Sequence, residues 1–239
     1  YENPESFLSI SLGSAETTLL NLTSAYSAFV NGGKLVSPIL IDRIQDSEGN
    51  TIINNDKRTC ANCDKVSFTG VEYPKIKDSY KQVFSPQTAY QITSLLEGVI
   101  KRGTGKKLKD LKLNLAGKTG TTNKNTDTWF IGFTSNLVVG VYVGYDNPKS
   151  LGKFETGSKT AMPIFKEFIK KTANNYNARP FKVAENIKMM VIDAKSGKKV
   201  NSQTKQAIVE SFKVNNNNLN NLNSNFDSGF NSINILKFY

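Results

Sequence analysis

The chain has 239 residues, of which 38% are hydrophobic and 21% are charged, so it is long enough to bury a core and has the composition of a globular protein. Its formal net charge is +11, but the lysines are scattered, which argues against a nucleic-acid partner, and no stretch approaches the roughly 18 apolar residues of a membrane helix. With no His and only 2 Cys, a Ser-His-Asp triad and a Cys/His zinc site are excluded, and we expect no metal and no cofactor.

The first predicted element is a helix over residues 17–30. Thr17 is a suitable N-cap, and Asn31-Gly32-Gly33 ends the helical pattern. The apolar positions that recur at helical spacing are Leu19, Leu22, Tyr26, Phe29 and Val30.

A hairpin is predicted next, with strands over residues 38–46 and 51–54 around a turn at 47–50. Residues 55–84 are polar and show no clear period. We interpret them as an inserted loop or small subdomain.

Cys60 and Cys63 form a Cys-x-x-Cys pair in this insertion. Two thiols alone are too few for zinc, and the loop-like context lacks the strand-to-helix setting of a thioredoxin-like motif. We therefore favour a local disulfide in an oxidising compartment, with two free thiols as the alternative.

The second helix is expected to start with Ser85 as N-cap and Pro86 at its first position. It is expected to end at Arg102-Gly103-Thr104-Gly105, where glycine permits a positive φ. A basic connector, residues 106–113, follows. The predicted buried face consists of Ala89, Ile92, Leu95, Leu96 and Val99.

Three strands are predicted over residues 115–121, 128–134 and 137–145. The short link at 134–136 makes the last two an antiparallel hairpin. Glycines inside these strands indicate close approach of packed neighbours; they are Gly132, Gly140 and Gly144.

The last predicted helix covers residues 160–174, and the predicted hairpin after it joins residues 187–192 to 198–200. The Asn-rich residues 214–239 cannot bury enough apolar surface to order, so we interpret them as a disordered tail. The apolar side of the helix is predicted to be Ile164, Phe165, Phe168 and Ile169.

The stretch Ala116-Gly117-Lys118-Thr119-Gly120-Thr121-Thr122 carries the clearest chemistry. On a strand, Lys118 and Gly120 point to one side and the two threonines to the other. A free strand edge offers N–H and C=O groups to an extended ligand, and Gly120 leaves room for it. With the Lys118 charge and the threonine hydroxyls, this pattern suits a peptide that ends in a carboxylate.

Two other interpretations of this stretch were weighed. Gly117-Lys118-Thr119 resembles the end of a phosphate-binding loop, but Lys112 stands where that motif needs Gly and no helix follows, so we reject it. A surface strand with an ordinary lysine stays open, because a bare Lys-Thr-Gly is short enough to recur by chance.

The wider sequence resembles the bifunctional class A penicillin-binding proteins over residues 8–172. Lys-Thr-Gly is one of the signatures of penicillin-binding proteins and class A β-lactamases. Further segments match in the same order: Leu12-Gly13-Ser14-Ala15-Glu16-Thr17, Ser24-Ala25-Tyr26, Asn31-Gly32-Gly33, Arg102-Gly103-Thr104-Gly105, Asp127-Thr128-Trp129-Phe130-Ile131-Gly132-Phe133-Thr134, Val143-Gly144-Tyr145-Asp146-Asn147-Pro148, Thr156-Gly157 and Ala161-Met162-Pro163-Ile164.

This resemblance implies a mixed α/β (α+β) fold of the serine β-lactamase and D,D-transpeptidase type: a five-stranded antiparallel sheet flanked by helices, with its N-terminal portion missing. Residues 1–178 would be the C-terminal part of the transpeptidase domain. Residues 179–213 would be a C-terminal extension, followed by the Asn-rich tail.

The resemblance also implies D,D-transpeptidation of peptidoglycan stem peptides through a serine acyl-enzyme that β-lactams also form. Lys118 would stabilise charge near the substrate carboxylate and the catalytic hydroxyls. Thr119 and Thr121 would bind the carboxylate beside Gly120, and the backbone N–H of Thr121 would be an oxyanion donor.

The serine nucleophile, its lysine partner and the Ser-x-Asn group are expected upstream of Tyr1, so the chain alone is expected to be inactive. Ser-x-x-Lys occurs only after Lys118, in predicted loops, and Ser-x-Asn only in the tail. We interpret all of these as chance matches; they begin at Ser150, Ser196, Ser202 and Ser232.

A longer protein is implied, with an upstream glycosyltransferase domain and membrane anchor, and with this part on the periplasmic side of the bacterial inner membrane. The expected partners are stem peptides and β-lactams. A non-catalytic remnant that binds peptidoglycan or a protein is the alternative function, and a β-lactamase is a weaker one.

Overall fold

The structure is a computed structural model that describes residues 7–63, 75–172 and 179–214. None of the helices in these ranges is long and apolar enough to cross a membrane. The helices are α1 (Leu19–Val30), α2 (Pro86–Arg102) and α3 (Ala161–Thr172), with 3-10 helices at Leu8–Leu12, Lys106–Leu111 and Asn123–Asn125. The strands are β1 (Arg43–Gln45), β2 (Thr51–Asn54), β3 (Thr59–Ala61), β4 (Lys75–Lys77), β5 (Ala116–Thr121), β6 (Asp127–Phe133), β7 (Val138–Gly144), β8 (Ile187–Asp193) and β9 (Ala207–Lys213).

The main sheet is antiparallel with the strand order β5-β6-β7. The three strands predicted from the sequence are confirmed to within a residue at each end. The hairpin between β6 and β7 closes where the N–H of Thr134 donates to Leu137 O at 2.9 Å. The described ranges therefore contain three strands of this sheet, where the full fold was expected to have five.

The two faces of this sheet are covered by different helices. On one face, the Phe130 ring packs against Phe165 of α3 with 4.8 Å between ring centroids. On the other face, a Cβ built at Gly140 would collide with the Thr23 hydroxyl of α1. A Cβ at Gly132 would lie 2.6 Å from the Phe165 ring, so the predicted close approach is confirmed at both glycines.

The helix caps largely follow the sequence. Ser85 caps α2 as predicted, since its hydroxyl accepts the Thr88 N–H at 3.2 Å, and Pro86 is the first helical residue. For α1 the predicted cap was wrong by one residue. The hydroxyl of Thr18, and not that of Thr17, accepts the Asn21 N–H, at 3.1 Å.

The predicted buried face of α2 was only partly right. Ala89 is buried, but Ile92, Leu96 and Val99 are half-buried, and polar residues with partners occupy much of the buried face. Leu95 is 56% exposed. The Thr93 hydroxyl instead donates to Ala89 O at 3.0 Å, and Glu97 pairs with Lys101 at 3.3 Å. The buried residues are Ala89, Tyr90, Thr93, Ser94, Glu97, Gly98 and Ile100.

The predicted apolar side of α3 was half right. Phe165 and Ile169 are buried, together with Ala161 and Met162. Ile164 and Phe168, however, are exposed large hydrophobic residues. The predicted helical residues 173 and 174 lie outside the described ranges.

The turn after α2 uses glycine for a reason other than the predicted one. Gly103 has a φ of −102° and Gly105 one of −89°, so neither adopts a positive φ. A Cβ at Gly103 would lie 2.9 Å from Val99 Cα, and one at Gly105 would lie 2.6 Å from Ile100 Cδ1. Position 103 needs glycine because the turn folds tightly onto the backbone of the helix, whereas at Gly105 the Ile100 side chain would have to move.

The segment between α1 and α2 contains two small hairpins. β2 matches its prediction, whereas β1 is shorter than the predicted 38–46, and every residue of β1 to β4 is exposed. Asp46 closes the turn between β1 and β2 by accepting the N–H groups of Glu48 at 3.0 Å and Asn50 at 2.8 Å. Cys60, in β3, is joined to Cys63 by a disulfide.

The C-terminal hairpin pairs β8 with β9 from Ile187 opposite Lys213 to Asp193 opposite Ala207, and β9 packs against α2. The predicted partner strand at 198–200 was only partly right. The predicted turn forms and Ile192 makes a single bridge with Lys199, but the continuous partner of β8 is β9. Val214 still bonds to Asn186 O, at 2.9 Å; residues 215–239 of the predicted tail lie outside the described ranges.

Candidate active site

Strand β5 lies at the edge of the main sheet. It pairs with β6 on one side, and none of the described strands pairs with its other side. The backbone groups along that side have no strand partner among the described residues, so an extended ligand can pair with them as a further strand.

Cross-strand neighbours show which face each β5 side chain occupies, because directly opposed residues share a face. Lys118 is opposite Ile131, on the α1 face, and Thr119 is opposite Phe130, on the α3 face. Thr121 shares the face of Thr119. The ammonium group and the two hydroxyls thus flank the open edge from opposite sides, as the alternation predicts.

Lys118 is exposed, and its Nζ donates to Thr119 O at 2.8 Å. No carboxylate forms an ion pair with it within the described part of the chain. The local positive charge is therefore not neutralised by these residues and can attract an anionic ligand.

Gly120 lies where a side chain has little room. A Cβ there would lie 3.0 Å from Trp129 Cβ on the neighbouring strand. The Trp129 ring is itself fixed, since it packs on Tyr142 with 4.8 Å between centroids and its Nε1 donates to Asp127 Oδ1 at 2.9 Å.

The loop at residues 147–160 packs against the end of β5. Its Gly157 N–H donates to the Thr121 hydroxyl at 3.1 Å, and a Cβ at Gly157 would lie 2.5 Å from both Gly120 O and Trp129 O. Asn125 anchors the same loop by donating to Gly152 O at 3.0 Å. Sequence reasoning matched Thr156-Gly157 to a family segment but gave it no role.

A hydroxyl from outside the strand reaches Thr119. Thr104, in the turn after α2, lies 3.0 Å from it, Oγ1 to Oγ1. Sequence reasoning did not assign Thr104 to the site. The only available signal was the match of Arg102-Gly103-Thr104-Gly105 to the family, which says nothing of this contact.

The remaining sequence candidates do not provide a helical nucleophile. Ser196 and Ser202 lie in turns and Ser150 lies in an irregular loop, and none of the three begins a described helix. The hydroxyl of Ser196 donates to Asp193 Oδ1 at 2.9 Å, as expected for a turn serine. Ser232 lies outside the described ranges. Cys60 and Cys63 are exposed and belong to the segment between α1 and α2.

The sequence matches one family model and several curated proteins. Residues 2–170 match the model described as the penicillin binding protein transpeptidase domain. The chain is 44% identical to penicillin-binding protein 1A of Rickettsia prowazekii over 217 residues, which are 89% of this chain and 27% of that protein. Penicillin-binding protein 1A of Neisseria flavescens is 36% identical over 181 residues, covering 75% of this chain and 21% of that protein.

Solved structures show the same likeness. The crystal structure of penicillin-binding protein 1A from Haemophilus influenzae superposes with a TM-score of 0.70 at 30% identity, over 85% of this chain and 33% of that one. The penicillin-binding protein PonA1 from Mycobacterium tuberculosis has a TM-score of 0.56 at 21% identity over 73% of this chain and 42% of that one, which shows a shared fold. The chain spans about a quarter of the length of the curated relatives that it matches.

Proposed function

Because the chain belongs to the penicillin-binding protein transpeptidase domain family, we propose that it forms one wall of a D,D-transpeptidase active site that cross-links peptidoglycan stem peptides. The observation that carries this proposal is Lys118-Thr119-Gly120-Thr121 on the open edge of β5, with the ammonium and the hydroxyls on opposite sides of that edge.

The open edge suits a stem peptide that lies alongside β5 and hydrogen-bonds to its backbone. The hydroxyls of Thr119 and Thr121 donate to the terminal carboxylate, and Lys118 supplies positive charge close by. Thr121 is prepared for this role. The Gly157 N–H already occupies an acceptor position of its oxygen, so its O–H proton remains available to the ligand.

The reaction that this wall serves is acyl transfer in two steps. A serine hydroxyl adds to the carbonyl of the D-Ala-D-Ala bond, the C–N bond breaks, and D-Ala leaves with the proton that the serine gives up. An amine of a second stem then attacks the ester and releases the serine. The Thr121 N–H stabilises the oxyanion in both steps. The serine comes from outside the 239 residues, and β-lactams acylate it in the same way.

The rest of the longer protein is also part of the proposal. It carries a glycosyltransferase domain and a membrane anchor upstream, and it holds this region on the periplasmic side of the inner membrane. The disulfide between Cys60 and Cys63 fits an oxidising compartment of that kind. If both thiols in protein from the native compartment are alkylated without reductant, the disulfide is not formed there.

The site assignment is tested by acylation of the full-length protein with fluorescent penicillin. Lys118→Ala is expected to lower the acylation rate about a hundredfold, the size of effect seen when a charge-stabilising group is removed. Lys77→Ala, an equally exposed lysine on β4, is the matched control and should react at the wild-type rate. Wild-type acylation of Lys118→Ala would exclude the assigned role.

A non-catalytic binding role is the second candidate, favoured by the position of all three described Ser-x-x-Lys serines outside helices and strands. Labelling of membranes with fluorescent penicillin, followed by capture with antiserum to this chain, separates the two. A labelled band much heavier than 26.4 kDa supports the transpeptidase. An unlabelled band near that mass, with no heavier one, supports the binding role.

A further inference from the structure

The two threonines that face the substrate carboxylate have matching surroundings. Each hydroxyl has one proton to donate and two acceptor positions. The oxygen of Thr121 accepts the Gly157 N–H at 3.1 Å. Two residues earlier on the same face, the oxygen of Thr119 lies 3.0 Å from the Thr104 hydroxyl. Both hydroxyls are thus engaged by a neighbouring loop.

We propose that Thr104 is a positioning residue of the carboxylate site: its O–H donates to Thr119 and so leaves the Thr119 O–H to donate to the carboxylate. If Thr119 instead donated to Thr104, its only hydroxyl proton would be bonded within the protein and could not reach the carboxylate. The inference rests on the function proposed for Thr119 and adds a residue from outside β5.

The turn that carries Thr104 is held on both sides by backbone bonds to α2. The N–H groups of Gly103 and Gly105 both donate to Val99 O, each at 3.0 Å. The turn lies directly against the helix, because a Cβ at Gly103 would be 2.9 Å from Val99 Cα. Thr104 is therefore placed before a ligand arrives, which lowers the cost of ordering the site.

The C-terminal hairpin secures the residue that precedes this turn. The guanidinium of Arg102 forms an ion pair with Glu210 of β9, and Glu210 is only 8% exposed. Gly98 makes this contact possible, since a Cβ there would lie 2.9 Å from the guanidinium. Gln91 adds a bond to Ser211 O at 3.2 Å. Separating the pair would leave the buried Glu210 carboxylate without an opposite charge, which is costly. The pair therefore fixes the C-terminal end of α2.

This contact gives the appended hairpin a part in the site. The supporting contacts run from β9 to Arg102, from there through the turn to Thr104, and finally to Thr119. Through these contacts the hairpin helps to hold Thr104 against Thr119 of β5.

The first test uses the full-length protein and two probes: a penicillin, and the methyl ester of the same penicillin, which lacks the carboxylate. The Thr104→Val variant should be acylated by the penicillin about tenfold more slowly than wild type, because one hydrogen bond is lost. The Thr104→Ser variant keeps a hydroxyl and should be acylated at nearly the wild-type rate. With the ester, Thr104→Val and wild type should react at equal rates. Thr51→Val on β2 is the matched control.

The outcomes separate the two proposals. If the wild-type protein is not acylated by penicillin, the proposed function fails. If it is acylated and Thr104→Val reacts at the wild-type rate, the role of Thr104 is wrong. An equal loss with penicillin and ester would show a structural defect and would also overturn the role.

The second test concerns the hairpin. Glu210→Gln and Arg102→Gln should each slow penicillin acylation about threefold, and the double variant should be no slower than either single one, because both remove the same ion pair. Wild-type rates in both single variants, or losses that multiply in the double variant, would show that the hairpin does not support the turn.

Discussion

The sheet β5–β7 and the segment between α1 and α2 are both built from antiparallel strands, but they are held in different ways. In the sheet, Phe130, Phe133 and Phe165 are fully buried between strands and helices. In the segment, no residue of β1 to β4 is buried. Its strands are held by polar contacts, such as the local turn at Asp46 and the longer-range ion pair of Lys34 with Asp78 at 2.6 Å.

This difference indicates where exact geometry is needed. Close packing holds β5 in one position, because displaced side chains would leave cavities that are costly. Polar contacts at an exposed surface allow larger movements at lower cost. The proposed substrate groups are all on the packed sheet, and the disulfide is on the exposed segment.

The largest expected effect comes from the buried side of this comparison. Phe165→Ala should destabilise the domain by about 3–5 kcal/mol, because it removes a buried ring and leaves a cavity under Phe130. Ile52→Ala, at a position that is 65% exposed on β2, should change stability by less than about 0.5 kcal/mol. The measurement is the temperature at which full-length protein loses half of its penicillin binding. Similar temperature shifts for both variants would contradict the distinction between the packed sheet and the exposed segment.

An intermediate effect is expected at the disulfide. Replacing Cys60 and Cys63 by Ser removes a constraint worth about 2 kcal/mol for a short loop, but only within the exposed segment. Limited proteolysis should therefore cleave residues 55–63 faster, while the rate of penicillin acylation stays the same. A large loss of acylation would mean that the segment and the active site are coupled.

The smallest effects are expected from two carboxyl groups whose pKa values shift in opposite directions. Burial raises the pKa of Glu97, although Lys101 lowers it in part, so ionised Glu97 reduces stability above the unfolded pKa of about 4.3. The Asn50 side chain and backbone, which bond to Asp46, lower the pKa of Asp46, so ionised Asp46 adds stability that is lost as the pH falls through its folded pKa.

Two variants test whether ionised Glu97 lowers stability and ionised Asp46 raises it. The measurement is the midpoint temperature of thermal unfolding at several pH values between 7 and 4. Glu97→Gln should raise the midpoint by a few degrees at pH 7, and the gain should vanish toward pH 4. Asp46→Asn should lower it slightly at pH 7, with a difference that shrinks in acid. A Glu97→Gln variant that is less stable than wild type at pH 7 would show that the Lys101 contact outweighs burial.

Much of the fold could be predicted from local patterns in the sequence. The cap at Ser85, the Pro86 that follows it and the three strands of the main sheet depend on interactions between near neighbours, which leave a clear periodicity. The buried face of α2 could be predicted only in part: Ala89 is buried as expected, but the polar residues beside it were missed. Thr93 and Glu97 are buried because distant or helical partners satisfy them, and a hydrophobic pattern does not record such partners.

The candidate site divides in the same way. Lys118 to Thr121 form one contiguous motif, so the sequence alone was enough to propose them as site residues. Thr104 and Gly157 approach β5 from other parts of the chain, and only the three-dimensional structure shows which atoms they meet. The strand partner of β8 was missed for a similar reason. The local turn at residues 194–197 forms, but the full ladder of β8 is with β9, which lies farther along the chain.

The open edge of β5 has a consequence for inhibitor design. A ligand that pairs with this edge binds peptide groups, which every amino acid carries, so exchanging side chains does not remove those bonds. Proline alone deletes an N–H, and Gly120 also has no room for a side chain beside Trp129. An inhibitor built as an additional strand would therefore leave the bacterium few single substitutions by which β5 escapes it.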